Sequence, residues 1–369
     1  MDRADPLAEL ISSYFELNGS AIDELLDPDE DVDGSIYADQ QPYLGHGPGP
    51  GPGAEPSPLE FMRYVARNTP FVARGAASLW PAVTTWSASF LRDALASHSV
   101  NVAVTPRGNA DAPTPGPSGA LVFAKPWEES QPFPDFLDYV MRQEKGELDP
   151  VAEVRYAQTQ NDNLRQEYVA LYDHVQKNIP FARIALQRPP EAINLWIGNS
   201  HSATALHRDN YENVYVQVLG QKHFVLLPPL CQPCVNEQLL QSCTYRRRED
   251  KAGLELLPDR PDGNAVDITV EGGAIPFATW DPDRPEENTT PYSALALPMR
   301  VTLNPGDMLY LPAMWLAIPP FVLLPSCLGD GICVAVNYWY DMDFNGPLYP
   351  LSAFVRSVYQ TTPQSGRAV

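Results

Sequence analysis

The stretch "HRDNYENVYVQV", His207 to Val218, sets an imidazole and a carboxylate two residues apart. In an extended strand, residues i and i+2 project to one side, so His207 and Asp209 share a face, about 7 Å apart along the chain. Such a pair is two-thirds of a 2-His-1-carboxylate facial triad, which leaves positions on Fe(II) open for substrate and oxygen. Alone it is weak, because His-x-Asp arises by chance and a surface histidine beside an acid is the commoner outcome. Its neighbours strengthen it. Lys222, fifteen residues after His207, could present a fixed ammonium to a dianionic small molecule. Thr204 adds a hydroxyl three residues before the histidine, and Asn213 and Tyr215 are polar on an otherwise apolar strand. A metal pair, a cationic anchor and hydroxyls within one hairpin form a constellation rather than a lone motif.

These side chains need a rigid frame. Val214, Val216 and Val218 alternate, Gly220-Gln221 turns the chain, and "KHFVLLPP" returns. "MRVTLNPGDMLYLP" and "GICVAVNYWY" read as further strands, so the pattern is mainly β, a sandwich or barrel. Upstream, "PLEFMRYVARN" reads as a helix capped by Ser57, and "SASFLRDALASH" as a helix opened by serine. "PFPDFLDYVMRQE" and "NDNLRQEYVALYDHVQ" also read as helices, and "PFVARG", "SVNVAVTP", "EVRYAQTQ" and "AINLWIGN" as strands. "NADAPTPGPSG" and "YRRRED" read as loops. The expected organisation is a helical arm over 1–27, a mobile Pro/Gly-rich linker over 28–56, an N-terminal α/β part over 57–150, a strand-rich core over 151–358 and a tail over 359–369.

Composition excludes some functions. The net charge is −21, from 46 acidic and 25 basic residues. A nucleic-acid binder needs a basic stripe, so that class is disfavoured, while a basic protein partner would suit. Five cysteines and no secretory signal point to a reducing compartment, cytoplasmic and/or nuclear. Met308–Gly329 carries no charge, yet Pro312, Pro319, Pro320 and Pro325 interrupt it, which argues against a membrane helix. "CQPC", Cys231 to Cys234, has Cys243 nearby but lacks a fourth zinc ligand, and reads as loop thiols. Asp307 in "NPGD" reads as closing a turn, and Trp339 and Tyr340 as packing.

One longer segment is specific. "INLWIGNSHSATALHRDNYENVYVQVLGQKHFVLLPP" resembles the first metal-binding hairpin of the JmjC hydroxylases, members of the cupin superfamily. "LNPGDMLYLPAMW" and "GICVAVNYWYDMDF" resemble the second half of that barrel. "PLEFMRYVARNTPFVARGAASLWPAVTTW" is similar to the N-terminal segment of the small, JmjC-only protein hydroxylases, among which a type linked to lysyl hydroxylation fits best. The resemblance covers roughly residues 57–358. It implies a double-stranded β-helix (jelly roll) flanked by N-terminal helices and strands, with Fe(II), 2-oxoglutarate as co-substrate, and hydroxylation of a protein. By position, it implies His207 and Asp209 as iron ligands and Lys222 on the distal carboxylate of 2-oxoglutarate. Thr204 and Tyr156 would help hold that carboxylate, and Asn213, Tyr215 and Asn337 match polar pocket positions.

The pattern breaks at one place. The second iron histidine of the family lies two residues after the tryptophan of "PAMW", where this chain has Ala317. Leu316–Pro325 is wholly apolar, and no histidine follows His223. Both flanks keep the family pattern and the misfit is abrupt. Three readings follow: a misread gene segment, a pseudo-oxygenase that binds without turnover, or a site completed by another group such as Cys327.

Overall fold

The computed structural model describes residues 5–25, 55–249, 253–259, 273–318 and 331–361. Tyr211–Leu219 is the central strand, paired antiparallel with Met308–Leu311 on one side and Cys333–Asp341 on the other. Ala192–Gly198 extends the sheet beyond Cys333–Asp341, and Phe71–Ala73 then Asp23–Leu25 extend it beyond Met308–Leu311. A second sheet runs in the order His207–Arg208, Leu316–Ile318, Lys222–Leu227, Met299–Leu303. The two sheets face each other across an apolar interior that includes Tyr215, Leu309, Phe224, Leu226, Trp315 and Ala317. This is the expected jelly roll.

The two-residue period of each strand divides the chemistry. On Tyr211–Leu219, Val214, Val216 and Val218 point out of the barrel, into a core shared with Phe61, Leu91, Phe136 and Tyr310. That outer core buries the helices Pro58–Arg67, Ala88–Ala94 and Phe133–Glu144 against the sheet. Odd-numbered residues of the same strand face inward, so Asn213 and Tyr215 line the interior. On Lys222–Leu227, Phe224 and Leu226 face inward, while Val225 and Leu227 meet a third cluster under the terminal helices. Pro6–Asn18 supplies Leu7, Ile11 and Phe15 to that cluster, and Leu348–Thr361 supplies Val355 and Tyr359.

Caps follow the sequence. Ser57 Oγ accepts the Glu60 amide at 3.2 Å, and Ser87 Oγ accepts the Phe90 amide at 3.1 Å. Asp307 closes its turn by accepting the Asn304 amide at 2.9 Å, and Arg74 adds an ion pair at 2.7 Å.

Several local expectations are corrected. The N-terminal helix ends at Asn18, and Asp23–Leu25 is a strand parallel to Phe71–Ala73. "NADAPTPGPSG" contains the strands Asn109–Ala110 and Ala112–Pro115. Pro113 and Pro115 are tolerated there because Ala112–Pro115 is an edge strand, paired only with Leu121–Lys125. "YRRRED" is not a solvated loop as a whole. Glu237–Arg247 is a strand that includes its first residues, and Arg247 pairs with Glu129 at 3.0 Å and Glu153 at 2.5 Å. Cys231 and Cys234 are not loop thiols but lie buried in the 3-10 helix Pro229–Cys234, packed under the terminal helices. "NDNLRQEYVALYDHVQ" breaks into the helix Asn163–Gln166 and the 3-10 helix Val169–His174. The segment 26–54, with most of the Pro/Gly tract, lies outside the described residues, as do Cys327 and 319–330.

The turn from Pro312 to Trp315 positions the second sheet. Met314 is left-handed, at φ 68°, and its amide donates to the Asp209 carbonyl at 2.8 Å. Glu212, 7% exposed, accepts the Tyr310 hydroxyl at 2.6 Å and the Ala313 amide at 3.2 Å. Burial raises its pKa, and those two bonds pull it back. Asn68 grips the same turn, donating to the Ala313 carbonyl at 3.0 Å and accepting the Trp315 indole at 2.8 Å. Glu212→Ala would leave a buried hydroxyl and a buried amide unpaired. At about 1–3 kcal/mol for each unpaired group, stability should fall by roughly 2–6 kcal/mol in urea unfolding. A loss under about 0.5 kcal/mol, the ordinary range for a neutral surface change, would contradict this role for Glu212.

Candidate active site

His207 begins the barrel's second sheet and Asp209 follows it into the turn before the central strand. Their side chains converge, with Nε2 of His207 3.6 Å from Oδ2 of Asp209. Two ligands each roughly 2.1 Å from one divalent ion can be no more than about 4.2 Å apart, so the spacing suits a shared metal. The His207 tautomer is set by its other nitrogen. Nδ1 lies 2.9 Å from the Ala205 carbonyl, an acceptor only, so in the neutral ring Nδ1 carries the proton and Nε2 keeps its lone pair. Burial opposes protonation of the ring, but the Asp209 charge and the Ala205 carbonyl outweigh it, and its pKa is raised.

The position opposite His207 is occupied by Ala317. The strands His207–Arg208 and Leu316–Ile318 are antiparallel, with His207 paired to Ala317 and Arg208 to Leu316. Directly opposed residues project to the same face, with Cβ atoms about 4.5–5.5 Å apart. Ala317 belongs to the barrel interior, whereas Leu316 and Ile318 belong to the outer cluster. His207, Asp209, Tyr211, Asn213, Trp315 and Ala317 help line a cavity of about 10 Å³, room for about one water. Among the described residues, no three His, Cys, Asp or Glu side chains are grouped to hold a metal ion. They therefore do not complete a three-ligand iron site.

Deeper in the barrel lies a second group. Lys222 is 2% exposed, and its ammonium is 5.4 Å from the ring centre of Tyr215 and 6.0 Å from that of Phe224. Burial pushes its pKa down to about 8. The Tyr215 hydroxyl is buried and has no hydrogen-bond partner among the described residues. Tyr156 is also buried, its ring centre 6.0 Å from that of Trp196, and burial drives both tyrosine pKa values well up. Gly198 makes room for Tyr156: a side chain there would begin 2.9 Å from its ring. Asn337 joins the inner strands, accepting the Trp196 indole at 3.0 Å and donating to Asn213 at 3.2 Å. Thr204 stands on a separate two-strand ladder, opposite Ala110.

Sequence reasoning missed two acids near this site. Glu212, which secures the turn before Ala317, is a lone charge within a valine-rich strand, and that was its available signal. Asp111 lies in the supposed loop, close enough to His207 for the two charges to influence each other.

A converging His207–Asp209 pair at a jelly-roll mouth, with a buried lysine behind it, has the layout of a cupin-type scaffold. The sequence profile of the cupin-like domain matches residues 56–346. The chain belongs to this cupin-like family, in its JmjC hydroxylase branch. The human protein named bifunctional peptidase and (3S)-lysyl hydroxylase JMJD7 is 34% identical over 293 residues, 79% of this chain and 83% of its own. Lysine-specific demethylase JMJ32 of Arabidopsis thaliana is 35% identical over 302 residues, covering 79% and 81%. JmjC domain-containing protein E of Dictyostelium discoideum is 28% identical over 337 residues, covering 87% and 92%. JmjC enzymes use Fe(II) and 2-oxoglutarate. No helix among the described residues is long and apolar enough to cross a membrane.

Ala317→His would set a second imidazole on the face that His207 occupies. Affinity for Mn(II), a redox-quiet probe for the site, should rise by more than the 10–100-fold typical of gaining a supporting outer partner. Calorimetric titration of both proteins tests this. Equal affinity would mean that residue 317 does not look onto the His207–Asp209 pair.

Proposed function

We propose that this chain binds 2-oxoglutarate in the barrel and recognises a lysyl side chain of a protein substrate, with Ala317 limiting its turnover. Its hydroxylase-type function follows from the family. The observation that carries the co-substrate reading is Lys222, an ammonium buried beside an unsatisfied Tyr215 hydroxyl. A buried ammonium and a buried hydroxyl side by side can both donate to one carboxylate. Lys222 and Tyr215 would hold the far carboxylate, with Tyr156 and Thr204 assisting. Asn213 and Asn337 would meet the near end, close to His207 and Asp209.

Iron supplies oxygen activation in this family, but two ligands do not reproduce its site. A specific observation, the pairing of Ala317 with His207, therefore favours a second reading: an impaired oxygenase that retains binding. The lysyl target is supported by the names of the human and Arabidopsis relatives. The net charge of −21 suits a substrate with a basic region. Cytoplasmic and/or nuclear residence fits the same reading.

Calorimetry with 2-oxoglutarate tests it. Lys222→Ala should weaken binding by roughly 1.5–3 kcal/mol, the range for a hydrogen bond to a charged group. The pH dependence has a definite sign. Binding needs the protonated amine, whose pKa in the free protein is about 8. Affinity should be flat below that pH and then fall about tenfold per unit until the higher pKa of the complex is reached. Unchanged affinity in Lys222→Ala would remove Lys222 from the site.

A further inference from the structure

The "CQPC" turn, Cys231 to Cys234, takes no part in the site described above. It lies in the 3-10 helix Pro229–Cys234. In such a helix, residues i and i+3 stand one turn apart and eclipsed, at a rise of about 2 Å per residue. Cys231 and Cys234 are therefore stacked, with Cα atoms about 6 Å apart, inside the window of about 4.4–6.8 Å that a disulfide spans. The same spacing in a strand would put them about 10 Å apart on opposite faces. Their thiols are in hydrogen-bond contact with each other. Among the described residues, no third His, Cys, Asp or Glu is grouped with them to hold a metal ion.

The turn is held in this shape. Pro228, Pro229 and Pro233 fix φ at three positions of the segment. The Cys231 amide donates to the Pro228 carbonyl at 2.9 Å. Thr290 Oγ1 donates to the Pro233 carbonyl at 2.8 Å, and Ser293 Oγ to the Cys234 carbonyl at 2.7 Å. A bond between the sulphurs would thus require little further ordering of the backbone. Both cysteines are buried, at 1% and 0% exposure. Burial drives the Cys231 pKa well up, and the hydrogen bond to Cys234 adds to the rise, so the covered pair is held as unreactive thiols. Its cover is two helices, Pro6–Asn18 through Leu7, Ile11 and Phe15, and Leu348–Thr361 through Val355 and Tyr359. Local opening of either helix rehydrates the pair and lets a thiolate form.

We propose that Cys231 and Cys234 form a redox-modification site, a dithiol that hydrogen peroxide converts to a disulfide when the covering helices open. One thiolate attacks a peroxide oxygen and breaks the O–O bond, leaving a sulfenic acid and hydroxide. The second thiolate displaces hydroxide from that sulphur and forms the S–S bond. The two thiol protons end on the two hydroxides as water, so the two sulphurs are oxidised and the peroxide is reduced. A dithiol reductant reverses the change. Intact mass and peptide mapping test this on the folded full chain in hydrogen peroxide, with remaining thiols blocked after an acid quench. The expected product is lighter by two hydrogens, with its bridge mapped to Cys231 and Cys234 and removed by dithiothreitol. Phe15→Ala, which strips a buried ring from the cover, should speed its formation by at least about tenfold. Cys234→Ser should leave Cys231 as a sulfenic acid that dimedone traps. Persistence of both thiols while Cys243 or Cys333 oxidises, oxygen added to Cys231 or Cys234 of the unaltered chain without a bridge, or a bridge to any other cysteine would overturn the proposal. So would a bridging rate unchanged in Phe15→Ala.

Discussion

The register between His207–Arg208 and Leu316–Ile318 is the constraint on which the site depends. It sets residue 317 opposite His207, on the same face of the same sheet. A one-residue slip would turn Leu316 or Ile318 inward and break both the interior and the outer cluster. The register is held at both ends. Lys222–Leu227 pairs with Leu316–Ile318 across Leu226 and Ala317, and the Pro312–Trp315 turn is tied to Asp209, Glu212 and Asn68. Burial of Leu316 and Ile318 outside the barrel therefore directs residue 317 inside, whatever its side chain.

The His207–Asp209 pair and the pocket around Lys222 are built separately. His207 and Asp209 come from the edge of the second sheet and the turn that follows. Lys222 comes from an inner strand of that sheet, and Tyr215 from the centre of the first. The interior core that buries Lys222 includes Phe224, Leu303 and Leu226, none of which is a metal ligand. A change at residue 317 can therefore leave the pocket around Lys222 standing, which is the basis for proposing that co-substrate binding and turnover separate.

Much of this was legible in the sequence. The alternation of valines located the central strand, Gly220 located its turn, and His-x-Asp located the pair. Prolines misled at Ala112–Pro115, because an edge strand forgives a missing amide donor that a central strand does not. The arginines near Arg247 read as surface because their acidic partners, Glu129 and Glu153, are far away in sequence. Asp111 was hidden for the same reason: a ladder between distant segments brings it within reach of the His207 charge. Ala317 was found by its offset from Trp315 within the family pattern, while its pairing with His207 needed the sheet.

One side chain, Ala317, is proposed to separate binding from turnover. Succinate release from 2-oxoglutarate, with added Fe(II), should be measured for this chain and for Ala317→His side by side. Little or no release by this chain and clear release by the variant is the predicted result. Strong release by the unaltered chain would contradict it, because a third ligand from elsewhere would then complete the site.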